Sequence, residues 1–122
     1  MNTIIINIGV GNIKSVANAL NFLGVPFVLT DEKKDIEKCD HLILPGVGSF
    51  DGVIEAIENK KLVDPIKNHI LKKKKPFLGI CVGMQVLFEK SEEGEKKGLS
   101  IFSGCVKKLD FQSQSKDYKV PN

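Results

Sequence analysis

Two histidines and three cysteines are the whole supply of nitrogen and sulfur metal ligands in 122 residues. Cys39, Cys81 and Cys105 are odd in number and far apart, which suits reduced thiols better than a disulfide framework or a zinc site. With His41 and His69 as the only imidazoles, no metal is expected. Long apolar runs are missing too. None approaches the ~20 residues that span a bilayer, so no membrane partner is expected. The opening Met-Asn-Thr-Ile-Ile-Ile lacks the basic start and small-residue cleavage site of a signal peptide, which points to a cytoplasmic protein. Neither sign of charge dominates: 18 Lys plus Arg against 15 Asp plus Glu leave a net +3. The lysines are scattered apart from one run at residues 72–75, so nothing requires a nucleic-acid partner. No internal repeat or interdomain linker is visible. At 42% hydrophobic and 27% charged residues, the chain reads as one small globular domain able to bury a core.

Chemistry concentrates in residues 75–88, Lys-Pro-Phe-Leu-Gly-Ile-Cys-Val-Gly-Met-Gln-Val-Leu-Phe. Pro76 can open a strand but not sit inside a central one. Phe77, Leu78 and Ile80 form a short apolar run, and Met84, Leu87 and Phe88 recur at helical spacing. The stretch therefore reads as strand, sharp turn and helix, with Cys81 at the turn. Gly79 and Gly83 stand two positions either side of it. This is the cysteine version of a nucleophile elbow, where small flanking residues let a strained backbone hold the reactive atom clear of the sheet. A helix starting just after Cys81 places its sulfur at the positive end of a helix dipole, where anions are favoured. The Val82 N–H is then a natural oxyanion donor, and Gln85, one turn further along the same face, is placed to reach a bound substrate. A buried structural cysteine is the plain alternative for any single Cys. The paired glycines favour the nucleophile.

The rest of the chain alternates strand and helix. Residues 3–8, rich in isoleucine, suit a strand buried on both faces of a parallel sheet. Gly9, Val10, Gly11 and Asn12 form a tight loop, after which Ile13, Val16, Ala17, Leu20 and Leu23 mark the apolar face of a helix closed by Gly24. A dinucleotide fingerprint would need a third glycine where Lys14 stands. Residues 26–30 and 41–44 predict two more strands, joined by a polar, partly helical connection. The third strand runs into Pro45-Gly46-Val47-Gly48-Ser49-Phe50, whose two glycines can turn peptide N–H groups towards an anion. An ordinary turn is the competing reading. Residues 51–59 predict a helix with Val53, Ile54 and Ile57 inward, and Asp64-Pro65 opens another running towards Leu71. The lysines at 72–75 read as its solvated end, with His69 at the surface or half-buried. His41 begins a strand, the wrong end of a parallel sheet for a catalytic base. Residues 91–98 predict a surface loop, 99–104 an irregular stretch, and 105–109 a weak strand that would put Cys105 in the core. Residues 112–117 are polar and read as mobile, and Val120-Pro121-Asn122 adds no closing element. The expected architecture is three-layer α/β around a mostly parallel sheet.

The wording Gly79-Ile80-Cys81-Val82-Gly83-Met84-Gln85, followed by Leu87-Phe88-Glu89 and Ser91-Glu92-Glu93-Gly94, resembles the nucleophile segment of class I glutamine amidotransferases. Within that class it is most similar to the glutaminase subunits of imidazole glycerol phosphate synthases. The resemblance implies their flavodoxin-like fold and a glutaminase that hydrolyses glutamine to glutamate and ammonia, with Cys81 as nucleophile. It implies an oxyanion site made by Val82 and by the peptide joining Val47 and Gly48, which must reorient before its N–H meets the substrate carbonyl. Gly46 and Gln85 would contact substrate, and Asn12, in a Gly-x-Gly-Asn loop, would face the partner. That partner would be a (β/α)8-barrel cyclase subunit, which uses the ammonia to make imidazole glycerol phosphate for histidine biosynthesis and releases an aminoimidazole ribonucleotide for purines. The implied complex is a heterodimer combining hydrolase and lyase activities, and no cofactor is needed. One departure is Ile8, where family members often carry an aromatic residue.

The resemblance covers nearly all of this chain but only the N-terminal part of the family domain. Class I amidotransferases complete a Cys-His-Glu triad with a histidine and a glutamate near the end of a longer domain, and neither can be assigned here. A single amidotransferase domain over residues 1–122, truncated at its C-terminus and inactive by itself, is therefore expected. Other readings stay open: a paralogue feeding ammonia to a surface-sugar pathway, to which Ile8 lends weight, and a non-catalytic binding domain that keeps the fold without the triad. A flavodoxin-like nucleotide binder is a more distant one.

Overall fold

The computed structural model describes residues 2–110; the stretch at 112–117 and the final Val120-Pro121-Asn122 lie outside the described residues. Strands β1 (Thr3–Ile6), β2 (Val28–Thr30), β3 (His41–Gly46) and β4 (Phe77–Cys81) form one sheet in the order β2-β1-β3-β4. Every neighbouring pair is parallel. Helices α1 (Ile13–Phe22), α2 (Lys33–Lys38), α3 (Phe50–Asn59), α4 (Val63–Lys67) and α5 (Val82–Gln85) connect or follow the strands. A separate two-strand ladder joins β5 (Lys90–Ser91) to β6 (Cys105–Val106).

Side chains alternate across a strand, and here both faces are used. Ile4, Ile6, Leu42 and Leu44 point into the main core with Ile36 of α2, Val53, Ile54 and Ile57 of α3, Ile66 of α4 and Val82 of α5. Ile5 and Ile43 are buried on the opposite face. There α1 sets Val16 across a cavity from Pro45 and Ile80. Helices thus lie on both sides, and the α/β layering expected from the sequence is present. α1 contributes no fully buried residue. Its C-terminus is closed by Gly24 at φ +70°, with the Val25 N–H donating to Leu20 O at 2.9 Å. Leu23, expected on the apolar face, is exposed.

Strand boundaries shift by a few residues from expectation. β1 and β2 are shorter, while β3 continues through Pro45 to Gly46. A proline is tolerated there because the rungs between β1 and β3 stop at Ile5 opposite Ile43, and only β4 pairs beyond that point. The expected strand at 105–109 is reduced to Cys105 and Val106, and Cys105 is half-buried rather than in the core.

Two further corrections concern the segment after α4, which loosens into a π-helical turn at Asn68–Lys72. First, His69 is buried at 1% exposure, not at the surface. Its Nε2 donates to Pro76 O at 2.8 Å, and Nδ1 faces the Cys39 sulfur at 3.7 Å. A carbonyl can only accept, so Nε2 holds a proton, while Nδ1 lies beside a sulfur whose own S–H donates to Ile36 O at 3.2 Å. Second, the lysine run is more than a solvated helix end. The Lys73 ammonium donates to Glu37 O, and that of Lys75 donates to Cys39 O at 3.1 Å. Both lysines therefore serve carbonyls that the C-terminus of α2 leaves without helical partners.

Burial, first, and then the charges of Lys75, Lys73 and His41 hold the His69 pKa below its usual value, against an opposing hydrogen bond to Pro76 O. The folded chain therefore refuses a proton that the unfolded chain accepts below about pH 6.5. Stability is full above that pH and is expected to fall as pH drops from there to the folded-state pKa. Melting temperatures between pH 7.5 and 5.5 should show this slope in the wild type and lose it in His69→Gln; an equal slope in both would assign it to other groups.

Candidate active site

Parallel strands present all their C-terminal ends to one edge, and ligands favour the crevice where the strand order reverses. Here the reversal lies between β1, which pairs β2 on one side, and β3 on the other. The loops after these strands, residues 9–12 and 46–49, flank that crevice, and the register Gly46 opposite Cys81 brings the end of β4 beside them.

Cys81 has φ 57° and ψ −120°, a conformation that L-residues avoid, and its side chain is exposed. Such strain is worth about 1–3 kcal/mol and persists only where neighbours enforce it. The enforcing contacts are backbone to backbone. A Cβ on Gly83 would lie 1.9 Å from Leu44 O, one on Gly79 would lie 2.5 Å from Gly83 O, and one on Gly46 would lie 2.8 Å from Gly83 N. β3, β4 and α5 thus touch where no side chain fits, and Gly46 belongs to the same packing as the two glycines that flank Cys81.

The helix behind Cys81 is shorter than its apolar spacing suggests and ends at Gln85. Leu87 N–H and Phe88 N–H close tighter turns to Met84 O and Gln85 O at 3.1 Å, Glu89 N–H leaves the helix for Gly104 O at 3.1 Å, and beyond them Leu99 N–H and Ile101 N–H donate to Val86 O and Leu87 O at 2.7 and 2.8 Å. A single turn sums few peptide dipoles, and the help expected from a long helix shrinks accordingly.

The loop after β3 is tied to the loop after β1. Val47 N–H donates to Val10 O at 3.1 Å, and a Cβ on Gly11 would meet Pro45 O at 2.8 Å. Gly48 has φ +96° with nothing within 4 Å of a would-be Cβ, and among the described residues no hydrogen bond takes its N–H. Ser49 then caps α3, its Oγ accepting from Gly52 N–H at 2.9 Å. A cavity of about 290 Å³ opens between these loops and α1, with Asn12, Ser15, Gly46, Val47, Ile80 and Cys81 among its walls. Asn12 makes no side-chain cap to its own helix. Val82 is buried behind the cysteine, while Gly48 and the half-buried Gln85 do not line this cavity. Ser15 is a wall residue that the sequence did not single out. Its position one helical turn after Asn12 was the available signal.

No base stands within reach of Cys81 among the described histidines. His41 starts β3, five residues before Gly46 and so about 16 Å away along the strand. His69 is bonded to Pro76 O, just ahead of β4 at the same far edge. Among the described residues no group of three or more His, Cys, Asp or Glu could hold a metal ion, and no helix is long and apolar enough to cross a membrane.

Known proteins add a frame. The SNO glutamine amidotransferase family matches residues 9–120. The chain is 49% identical over 104 residues to imidazole glycerol phosphate synthase subunit HisH of Cyanidium caldarium, covering 84% of this chain and 48% of that protein. It is 47% identical over 119 residues to the subunit of the same name from Bacillus cytotoxicus, covering 97% and 54% respectively. The Bacillus thuringiensis subunit gives 44% over 119 residues, again 97% of this chain and 54% of the relative. The chain thus spans about half the length of the curated relatives it matches.

Proposed function

The chain belongs to the SNO glutamine amidotransferase family, and from that premise we propose that it carries the nucleophile of a cytoplasmic glutaminase supplying ammonia to a (β/α)8-barrel cyclase subunit in histidine biosynthesis. One observation carries the reading: Cys81, strained at φ 57° and exposed, stands on the wall of a cavity shared with Gly46, Val47 and Asn12.

In this reading glutamine lies in the cavity against Gly46 and reaches past its lining to Gln85. The Cys81 sulfur bonds to the amide carbon, and the carbonyl electrons move to oxygen, where the Val82 N–H and the peptide between Val47 and Gly48 receive the negative charge. The N–H of that peptide is Gly48's, which no hydrogen bond takes among the described residues, so it can reorient while the Val47 N–H keeps its bond to Val10 O at 3.1 Å. The C–N bond then breaks, ammonia departs with an added proton, and water cleaves the thioester to give glutamate and the free thiol. Loss of one oxyanion donor typically costs about 10²–10³ in rate. Asn12 faces the cyclase. Neither His41 nor His69 can transfer these protons from the opposite edge, and we assign that task to the remainder of a longer amidotransferase domain, for which relatives about twice as long are the support.

The test is glutamate release by residues 1–122, alone, with a cyclase subunit, and with the remaining half-domain added. Turnover is expected only with the half-domain present, enhanced by the cyclase and abolished in Cys81→Ala. Silence in every combination would count against the reading. The far placement of both histidines favours a second one, a binding domain that keeps the fold and partner face without turnover. Failure of Cys81 to react with a diazo-ketone analogue of glutamine in the reassembled domain would favour it.

A further inference from the structure

Asp51 occupies the first turn of α3, three residues after Gly48. Its carboxylate is not simply a solvated helix-end charge. Glu95 N–H donates to Oδ1 at 3.2 Å and to Oδ2 at 2.9 Å, and Lys96 N–H donates to Oδ1 at 2.9 Å. A Cβ on Gly94 would stand 2.4 Å from the same Oδ1, so any side chain there would have to push the carboxylate out of its present place. Successive backbone amides folded round an anion are a nest, and charge-assisted bonds of this kind are stronger than neutral ones. A helix dipole alone would be satisfied by any acid at this site; it gives no reason for a segment 44 and 45 residues away to be wrapped on it.

What that segment does next gives the contact its meaning. Beyond Gly94 the chain passes Gly98, where a Cβ would lie 2.9 Å from the Phe50 ring and 1.9 Å from Phe88 O. It then donates from Leu99 and Ile101 to Val86 O and Leu87 O. Residues 94–102 therefore form a strap fixed at one end to the first turn of α3 and at the other to the carbonyls following α5. Those two helices are the ones that directly follow the loop at 46–49 and Cys81. We infer that Asp51 is a positioning residue: by anchoring the strap it sets the separation between the oxyanion loop and the nucleophile. The catalytic meaning of that separation rests on the glutaminase reading, whereas the mechanical coupling does not.

Two readouts separate them, the first on the chain as given and the second on the reassembled domain. Hydrogen exchange in residues 46–49 reports the coupling without turnover. Asp51→Ala is expected to speed it about tenfold, Gly94→Ala to do the same from the other side of the contact, and Asp51→Asn, which keeps one acceptor oxygen, to fall between. Unchanged exchange in the folded Asp51 and Gly94 variants would overturn the inference whatever the chain catalyses. The second readout is alkylation of Cys81 by the diazo-ketone analogue relative to iodoacetamide. The variants should lose about tenfold in the ratio while iodoacetamide reactivity stays within about twofold. A reassembled wild-type domain with no preference for the analogue would overturn the glutaminase reading, and altered loop exchange would still support the strap. A retained preference with an unchanged ratio in the variants would overturn the positioning role.

Discussion

Gly83→Ala is expected to cost the chain most of its stability. The added methyl would sit 1.9 Å from Leu44 O, a backbone atom in the middle of β3, so no rotamer change can relieve the clash. Either α5 lifts off the sheet or β3 bends away from β4, and both open the core around Leu44, Val82 and Val86. Ordinary overpacking costs about 1–3 kcal/mol with side chains that can move. A backbone collision should exceed about 3 kcal/mol, against a total of roughly 5–15 kcal/mol for a domain. Urea unfolding followed by circular dichroism measures the loss. Gly24→Ala is the matched comparison: it sits at φ +70° with open space around it, so only conformational strain of about 1 kcal/mol is at stake. Equal losses in the two variants would show that backbone angle, not collision, governs the elbow.

The second large effect separates stability from reactivity at one atom. Cys81→Gly and Cys81→Ala should both abolish reaction with the glutamine analogue and all turnover in the reassembled domain. They should differ in stability, because alanine keeps the cost of φ 57° while glycine relieves it. Cys81→Gly is expected to be more stable than Cys81→Ala by about 1–2 kcal/mol, and to melt roughly 5 °C higher. Equal melting temperatures would mean that the elbow stores no strain.

How much of this was legible depends on what kind of force decides each feature. The strand-turn-helix around Cys81 was readable because glycines at fixed offsets leave a mark in the sequence, and the isoleucines of β1 announced a strand buried on both faces. The shortening of α5 was not. Met84, Leu87 and Phe88 have helical spacing, but periodicity cannot reveal that Glu89 N–H is drawn to Gly104 O and that Leu99 and Ile101 bond to Val86 O and Leu87 O. His69 was misplaced for a similar reason. A lone imidazole in a lysine-rich stretch looks solvated until Pro76 O takes its Nε2–H and the Cys39 sulfur, from another segment, packs beside Nδ1. The lysines at 73 and 75 carry the same lesson, since the carbonyls they serve belong to α2. At the site, Cys81 and the glycine loops were found from local pattern. The hydrogen bond from Val47 to Val10, the wall position of Ser15 and the grip of Asp51 on residues 95 and 96 are pairings across the chain, and no local pattern encodes them.

The all-parallel ladder also bears on how the chain reaches its native state. Ile4 meets Val28 across 24 residues, Leu42 meets Phe77 across 35, and Thr3 meets His41 across 38. No rung of this sheet can form as a hairpin, so each one closes a long stretch of chain before it is rewarded, and assembly belongs to the slow, non-local regime. The twist at Cys81 has no local cause either, being imposed by Leu44 and Gly46 from β3. The thiol therefore acquires its strained geometry only when β3 and β4 have joined, and its conformation serves as a timer for the completed sheet.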